Sequence, residues 1–216
     1  MRNAHIGLLS LSRLLAAAWL ILGVGSAVAA DPPKTFAEGT YYEVRTTEKS
    51  AEPEIELFFS FWCGHCFSLQ EQFGTVAQHF LRTGKVRFLH LPVGILGGEM
   101  AVQSQYAFVV AGLHGVQRDF IKQMFDIIHV QNRIPEDHGE FVRMFAAFGV
   151  PEETFEQEYN SFLVKAQVAR IDRLTDELKV EAVPEIVVNA KYAVNMSKLE
   201  TVQDLIDVIE YLLTLP

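Results

Sequence analysis

The stretch from Phe58 to Phe73, FFSFWCGHCFSLQEQF, constrains this chain more than any other. An apolar run ends at Cys63-Gly64-His65-Cys66, and a helical pattern begins at once: Cys66, Leu69, Gln70, Phe73, Val76, Ala77 and Phe80 fall on one stripe. The stripe places Cys66 against a core. Cys63 falls at the start of the helix, where unpaired backbone N–H groups and the helix dipole favour an anion. A thiolate is such an anion. The two cysteines are thus predicted to be unequal, with an exposed attacking sulfur at 63 and a buried resolving one at 66. This is the pattern of a thiol–disulfide exchanger.

Cysteine usage points the same way. The first thirty residues read as a cleaved signal peptide: Arg2 and Arg13 are positive, Leu14 to Val24 is apolar, and Ser26 to Ala30 offers small residues for cleavage after Ala29 or Ala30. An exported chain commonly uses cysteines as staples set far apart. Here the only two lie within one four-residue motif, and a bond between them would constrain little of the unfolded chain. Reactivity explains the pair better than stapling does. Residues 31–216 suit one large domain, or one domain carrying an insertion. The formal net charge of −9 becomes more negative once Arg2 and Arg13 leave, which argues against nucleic acid or anionic lipid as partner.

Along the mature chain, Tyr41 to Arg45 and Ile55 to Phe61 read as strands, and the CGHC helix runs to about Leu81 with a kink expected at Gly74. Val86 to Val93 is a third strand, so the opening order is β-β-α-β. Helical patterns follow at Met100 to Leu113, Gln117 to Val130 and Asp137 to Phe148, then in a short helix with Pro151 as its first residue, and from Ser161 to Lys179. Strand character returns at Glu185 to Asn189 and Lys191 to Asn195 as a hairpin. Thr201 with Asp204 forms a capping-box pattern opening a last helix. The fold class is α/β: a thioredoxin-like core (31–97 and 180–216) with an inserted helical domain (98–179).

On FFSFWCGHC, Gly97-Gly98, SFLVKAQVA at Ser161 to Ala169, and Val183-Pro184 through Tyr192, the chain resembles the DsbA-type periplasmic thiol–disulfide oxidoreductases of Gram-negative bacteria. The resemblance covers nearly all of the mature chain. It implies a cis peptide at Val183-Pro184 beside the dithiol; read alone, that proline is equally an ordinary trans residue at a strand start. It implies catalytic roles for Cys63, Cys66, His65 and Pro184, with Val183, Pro184 and Trp62 meeting the substrate, although Trp62 is equally plausible as packing. His65 as imidazolium would favour a Cys63 thiolate. It also implies reoxidation by DsbB, a membrane quinone reductase. The dithiol is itself the redox centre, so no cofactor and no metal are expected; the expected substrates are reduced exported proteins, and the chain is expected to act as a monomer.

Two positions depart from the family. Gly64 stands where proline is common, giving the CGHC of disulfide isomerases, and Leu57 stands where a buried acid is usual. Glu56 is one residue out of register and points to the opposite strand face. His90 either handles protons or is a satisfied core histidine. The rival functions are an isomerase or reductase using the same dithiol, a peptide-binding chaperone, and a zinc site, which lacks two further ligands at recognisable spacing. His79, His114, His129 and His138 show no metal-site spacing.

Overall fold

The computed structural model describes residues 34–216; the leader expected over 1–30 lies outside them. Five strands form one mixed sheet in the order β1-β5-β4-β2-β3, with β1 at Tyr42–Val44, β2 at Glu54–Phe59, β3 at Arg87–Pro92, β4 at Glu185–Val188 and β5 at Tyr192–Val194. β2 and β3 run parallel, with Leu57 beside His90, while β2 and β4 run antiparallel. Parallel neighbours need a crossover, and two helices supply it: α1 at Gly64–Ser68 and α2 at Gln70–Leu81. The order is that of a thioredoxin-like fold.

The sequence predicts one kinked helix there, and the structure has two. The break is at Leu69, whose backbone (φ −97°, ψ 6°) leaves the helical region, and not at Gly74, which stays inside α2. Periodicity could not reveal this, because Cys66, Phe73, Val76, Ala77 and Phe80 are all buried on either side of the break.

Between β3 and β4 lie α3 (Gly98–Leu113), α4 (Gln117–Phe125), a π-helical turn (Asp126–Val130), α5 (His138–Ala147), α6 (Glu152–Tyr159) and α7 (Phe162–Glu177). Pro151 is the N-cap of α6 rather than its first residue. α3 is apolar around most of its circumference, the helices after it are short or amphipathic, and together they bury Phe120, Phe141, Phe145 and Phe155 completely. Burying a side chain of this kind contributes about 1.5–3 kcal/mol. Both cysteines belong to this apolar cluster. A second cluster lies between α2, the other sheet face and α8 (Val202–Thr214), with Ile55, Leu57, Phe73, Phe80, Ile206 and Ile209. Thr201 and Asp204 form the reciprocal capping box that opens α8.

The chain returns from the helices to the sheet through Lys179, held at φ +54°. Arg45, just past β1, fixes this return: its guanidinium donates to the Lys179 carbonyl (3.0 Å) and to Glu185 Oε1 (2.9 Å). The β4–β5 hairpin turns on Asn189 and Ala190, both at positive φ, as a tight turn between antiparallel strands requires.

Candidate active site

β2 delivers the chain to Cys63 at the edge of the core. Ser60 shapes the turn that follows, its carbonyl accepting from Cys63 N (3.1 Å) and its hydroxyl from Trp62 N (3.2 Å). Cys63 is then the N-cap of α1 with extended backbone, and its Sγ accepts a hydrogen bond from Cys66 N at 3.2 Å. This is the place a serine or aspartate oxygen takes in an ordinary cap, filled here by sulfur. Cys63 Sγ–H in turn donates to the Val183 carbonyl at 3.4 Å. The Val183-Pro184 peptide is cis. Val183, Pro184 and Trp62 are half-buried beside Cys63, whereas Gly64 and His65 are exposed.

The expectation of an exposed sulfur at 63 needs correction. Cys63 is 7% exposed and Cys66 2%. Helix position locates the dipole correctly, but it does not reveal that the Val183 loop folds over Cys63. The inequality of the pair lies instead in their chemistry: burial, and then the hydrogen bond with Cys63, push the Cys66 thiol far above its ordinary range. It stays protonated through neutral pH.

Gly97, in the left-handed region at φ +91°, lies directly under the Trp62 ring. A Cβ there would sit 2.3 Å from Trp62 Cδ2, whereas one on Gly98 would meet nothing within 4 Å. Gly97→Ala is therefore expected to cost about 2–3 kcal/mol and to displace Trp62, against about 1 kcal/mol for Gly98→Ala. Urea denaturation with near-ultraviolet circular dichroism of the tryptophan checks both; equal costs and unchanged spectra would refute the contact.

Two expectations beneath the motif resolve clearly. Glu56 is fully buried, both its carboxylate oxygens are unpartnered among the described residues, and burial followed by the Glu54 carboxylate raises it to about 9. Among the described residues His90 has no side-chain hydrogen-bond partner, and it lies against Phe59 and Phe88; burial lowers it to about 4, so it is neutral at physiological pH. Register sets Glu56 beside Leu89, and Leu57 beside His90. Neighbouring positions alternate in face, so Glu56 and His90 project to opposite sides of the sheet and form no relay.

The other histidines are engaged singly. His79 meets Glu210 (2.8 Å), His114 meets Glu158 (2.6 Å) and His138 meets Glu156 (2.6 Å). His129 is different: its Nε2 lies 2.7 Å from the Phe61 carbonyl, two residues before Cys63. Sequence spacing gives no sign of this, since the contact spans 68 residues.

Residues 54–207 match the DSBA-like thioredoxin domain family. The chain is 29% identical over 206 residues to the thiol:disulfide interchange protein DsbA of Pectobacterium carotovorum subsp. carotovorum, covering 90% of this chain and 96% of the relative. It is likewise 29% identical to the protein of that name from Dickeya dadantii, covering 93% and 97%. The crystal structure of DsbA from Klebsiella pneumoniae superposes with a TM-score of 0.75 at 26% identity, over 84% of this chain and all of that one. No helix among the described residues is long and apolar enough to cross a membrane. With a dithiol at a helix N-cap, a mixed five-stranded sheet and matches that span the fold, this chain belongs to the DSBA-like thioredoxin domain family and is a thiol:disulfide oxidoreductase.

Proposed function

We propose that the protein is exported to the periplasm after loss of residues 1–30 and introduces disulfides into reduced exported proteins through Cys63 and Cys66. The observation that carries this reading is the position of Cys63 Sγ, on the Cys66 N–H and 3.4 Å from the Val183 carbonyl. In the oxidised enzyme a substrate thiolate attacks Cys63 Sγ. The Cys63–Cys66 bond breaks, its electron pair goes to Cys66, and that sulfur takes a proton, as its raised pKa favours. A second substrate thiolate then attacks the substrate sulfur of the mixed disulfide and expels Cys63 as a thiolate. The substrate leaves as a disulfide, two electrons poorer, and the enzyme is left as the dithiol.

Each residue's role follows from its place. The Cys66 N–H and the N-terminus of α1 stabilise the Cys63 thiolate, and exposed His65 adds positive charge when protonated. Val183, Pro184 and Trp62 border the sulfur where an extended substrate segment would lie. The dithiol is the redox centre, so no cofactor enters the reaction, and a DsbB-type membrane quinone reductase would accept its electrons. The catalytic core comprises 31–97 and 180–216, the helical insertion spans 98–179, and the protein acts as a monomer.

The reduction potential of the pair against glutathione, with the Cys63 thiolate titrated alongside, tests the direction. A strongly oxidising potential is the expected result. A value near that of disulfide isomerases, consistent with Gly64, would reassign the enzyme to shuffling or reduction.

A further inference from the structure

α4 does not end where its α-helical pattern would put it. At Phe125 it passes into the π-helical turn Asp126–Val130, with Gln131 N donating to the Asp126 carbonyl at 2.9 Å. The extra residue in such a turn rotates the following side chains relative to an α-helix, and such turns concentrate at functional sites. The turned residue is His129. Its ring stacks on Phe67, with centroids 4.8 Å apart and planes 13° from parallel, and touches Phe125 at 5.8 Å. Its Nε2 lies 2.7 Å from the Phe61 carbonyl. A carbonyl only accepts, so Nε2 carries the proton.

One imidazole of the insertion thus holds both flanks of the CGHC turn, Phe61 before Cys63 and Phe67 after Cys66. The Ser60 contacts within the turn are local, reaching Trp62 N and Cys63 N. The Phe61 carbonyl is tied instead to a distant element. Without that donor the Phe61–Trp62 peptide is held on one side only, by Trp62 N–H to Ser60 Oγ, and can tilt about that contact, shifting the attached Cys63 and loosening the Cys66 N–H to sulfur bond.

We propose that His129 is a positioning residue for thiol–disulfide exchange: by donating Nε2–H to the Phe61 carbonyl, it holds Cys63 Sγ on the Cys66 N–H and so favours the thiolate. This rests on the reading of Cys63 as the exchanging sulfur. Packing alone would be served by any flat ring at 129, so the donor and the ring are separable. His129→Phe keeps a ring over Phe67 without the donor, and His129→Gln keeps an N–H without the ring.

The thiolate of the reduced protein is titrated by its ultraviolet absorbance, and oxidation of a reduced dithiol peptide is timed with glutathione disulfide as terminal oxidant. His129→Phe is expected to raise the Cys63 pKa by about one unit, a tenfold loss of thiolate on the acid side, whereas His129→Gln stays within about twofold of wild type. A wild-type titration in His129→Phe, or equal shifts in both variants, would overturn the proposal. Should His129→Phe not fold, nitrogen NMR of the wild-type imidazole decides: an Nε2–H tautomer coupled to the Phe61 carbonyl supports the positioning role, and an Nδ1–H tautomer refutes it. A wild-type enzyme that oxidises no peptide refutes the exchange reading itself. An active wild type with an unshifted His129→Phe refutes only the role of His129.

Discussion

Cys63→Ser is expected to reduce disulfide transfer to the uncatalysed background, while Cys66→Ser is expected to stall with substrate attached. The two outcomes differ because the sulfurs differ. Cys63 Sγ caps α1 and faces the Val183 carbonyl, so an incoming thiolate meets it first. Cys66, less exposed and held as a thiol by its burial, is reached only from Cys63. In Cys66→Ser the Cys63 thiolate still attacks an oxidised substrate or glutathione disulfide, but no neighbouring sulfur can release the adduct. Mass spectrometry of the variants after incubation with glutathione disulfide gives the readout. A Cys66→Ser protein without adduct, or a Cys63→Ser protein with one, would reverse the assignment. Stability should move by no more than about 1 kcal/mol in either reduced variant, because serine preserves the volume and the cap.

Glu56→Gln is expected to stabilise the protein in a pH-dependent way. In the unfolded chain this carboxyl titrates at its ordinary 4.5; in the fold, burial and the Glu54 carboxylate raise it to about 9. Below 4.5 both states hold the proton and pH has no effect through this group. Between 4.5 and 9 only the folded state holds it, so folding stability falls by up to about 1.4 kcal/mol for each pH unit gained. Glutamine has the same shape and no proton to lose. Wild type and Glu56→Gln should therefore have similar stability near pH 4.5, with the variant ahead by at least about 2 kcal/mol at pH 8 after allowance for water reaching the site. Urea denaturation at the two pH values measures this. A gap that does not grow with pH would mean that Glu56 is ionised or solvated in the fold.

These residues also mark the limits of what the sequence discloses. The strand and helix order, the capping box at Thr201 and the burial of Cys66 were legible because each rests on spacing within one element. Glu56 was legible as out of register with the motif. Its complete burial was not, because that depends on β3 and β4 flanking β2 and on the insertion covering the face. The Val183 carbonyl over Cys63, the Trp62 ring over Gly97 and His129 under Phe61 are likewise contacts between distant elements, which no local periodicity records. The break at Leu69 escaped for the opposite reason: buried residues on both sides of it keep one continuous pattern.

The N-cap geometry of Cys63 has a consequence for whatever recharges this enzyme. The two sulfurs already occupy one helical turn, so making or breaking their bond requires little rearrangement beyond the motif. The spent and charged enzymes should be nearly the same shape, differing by one sulfur–sulfur bond within the motif. A partner telling them apart has no moving domain to read; it must read reactivity, by presenting its own sulfur and finding whether an exchange begins.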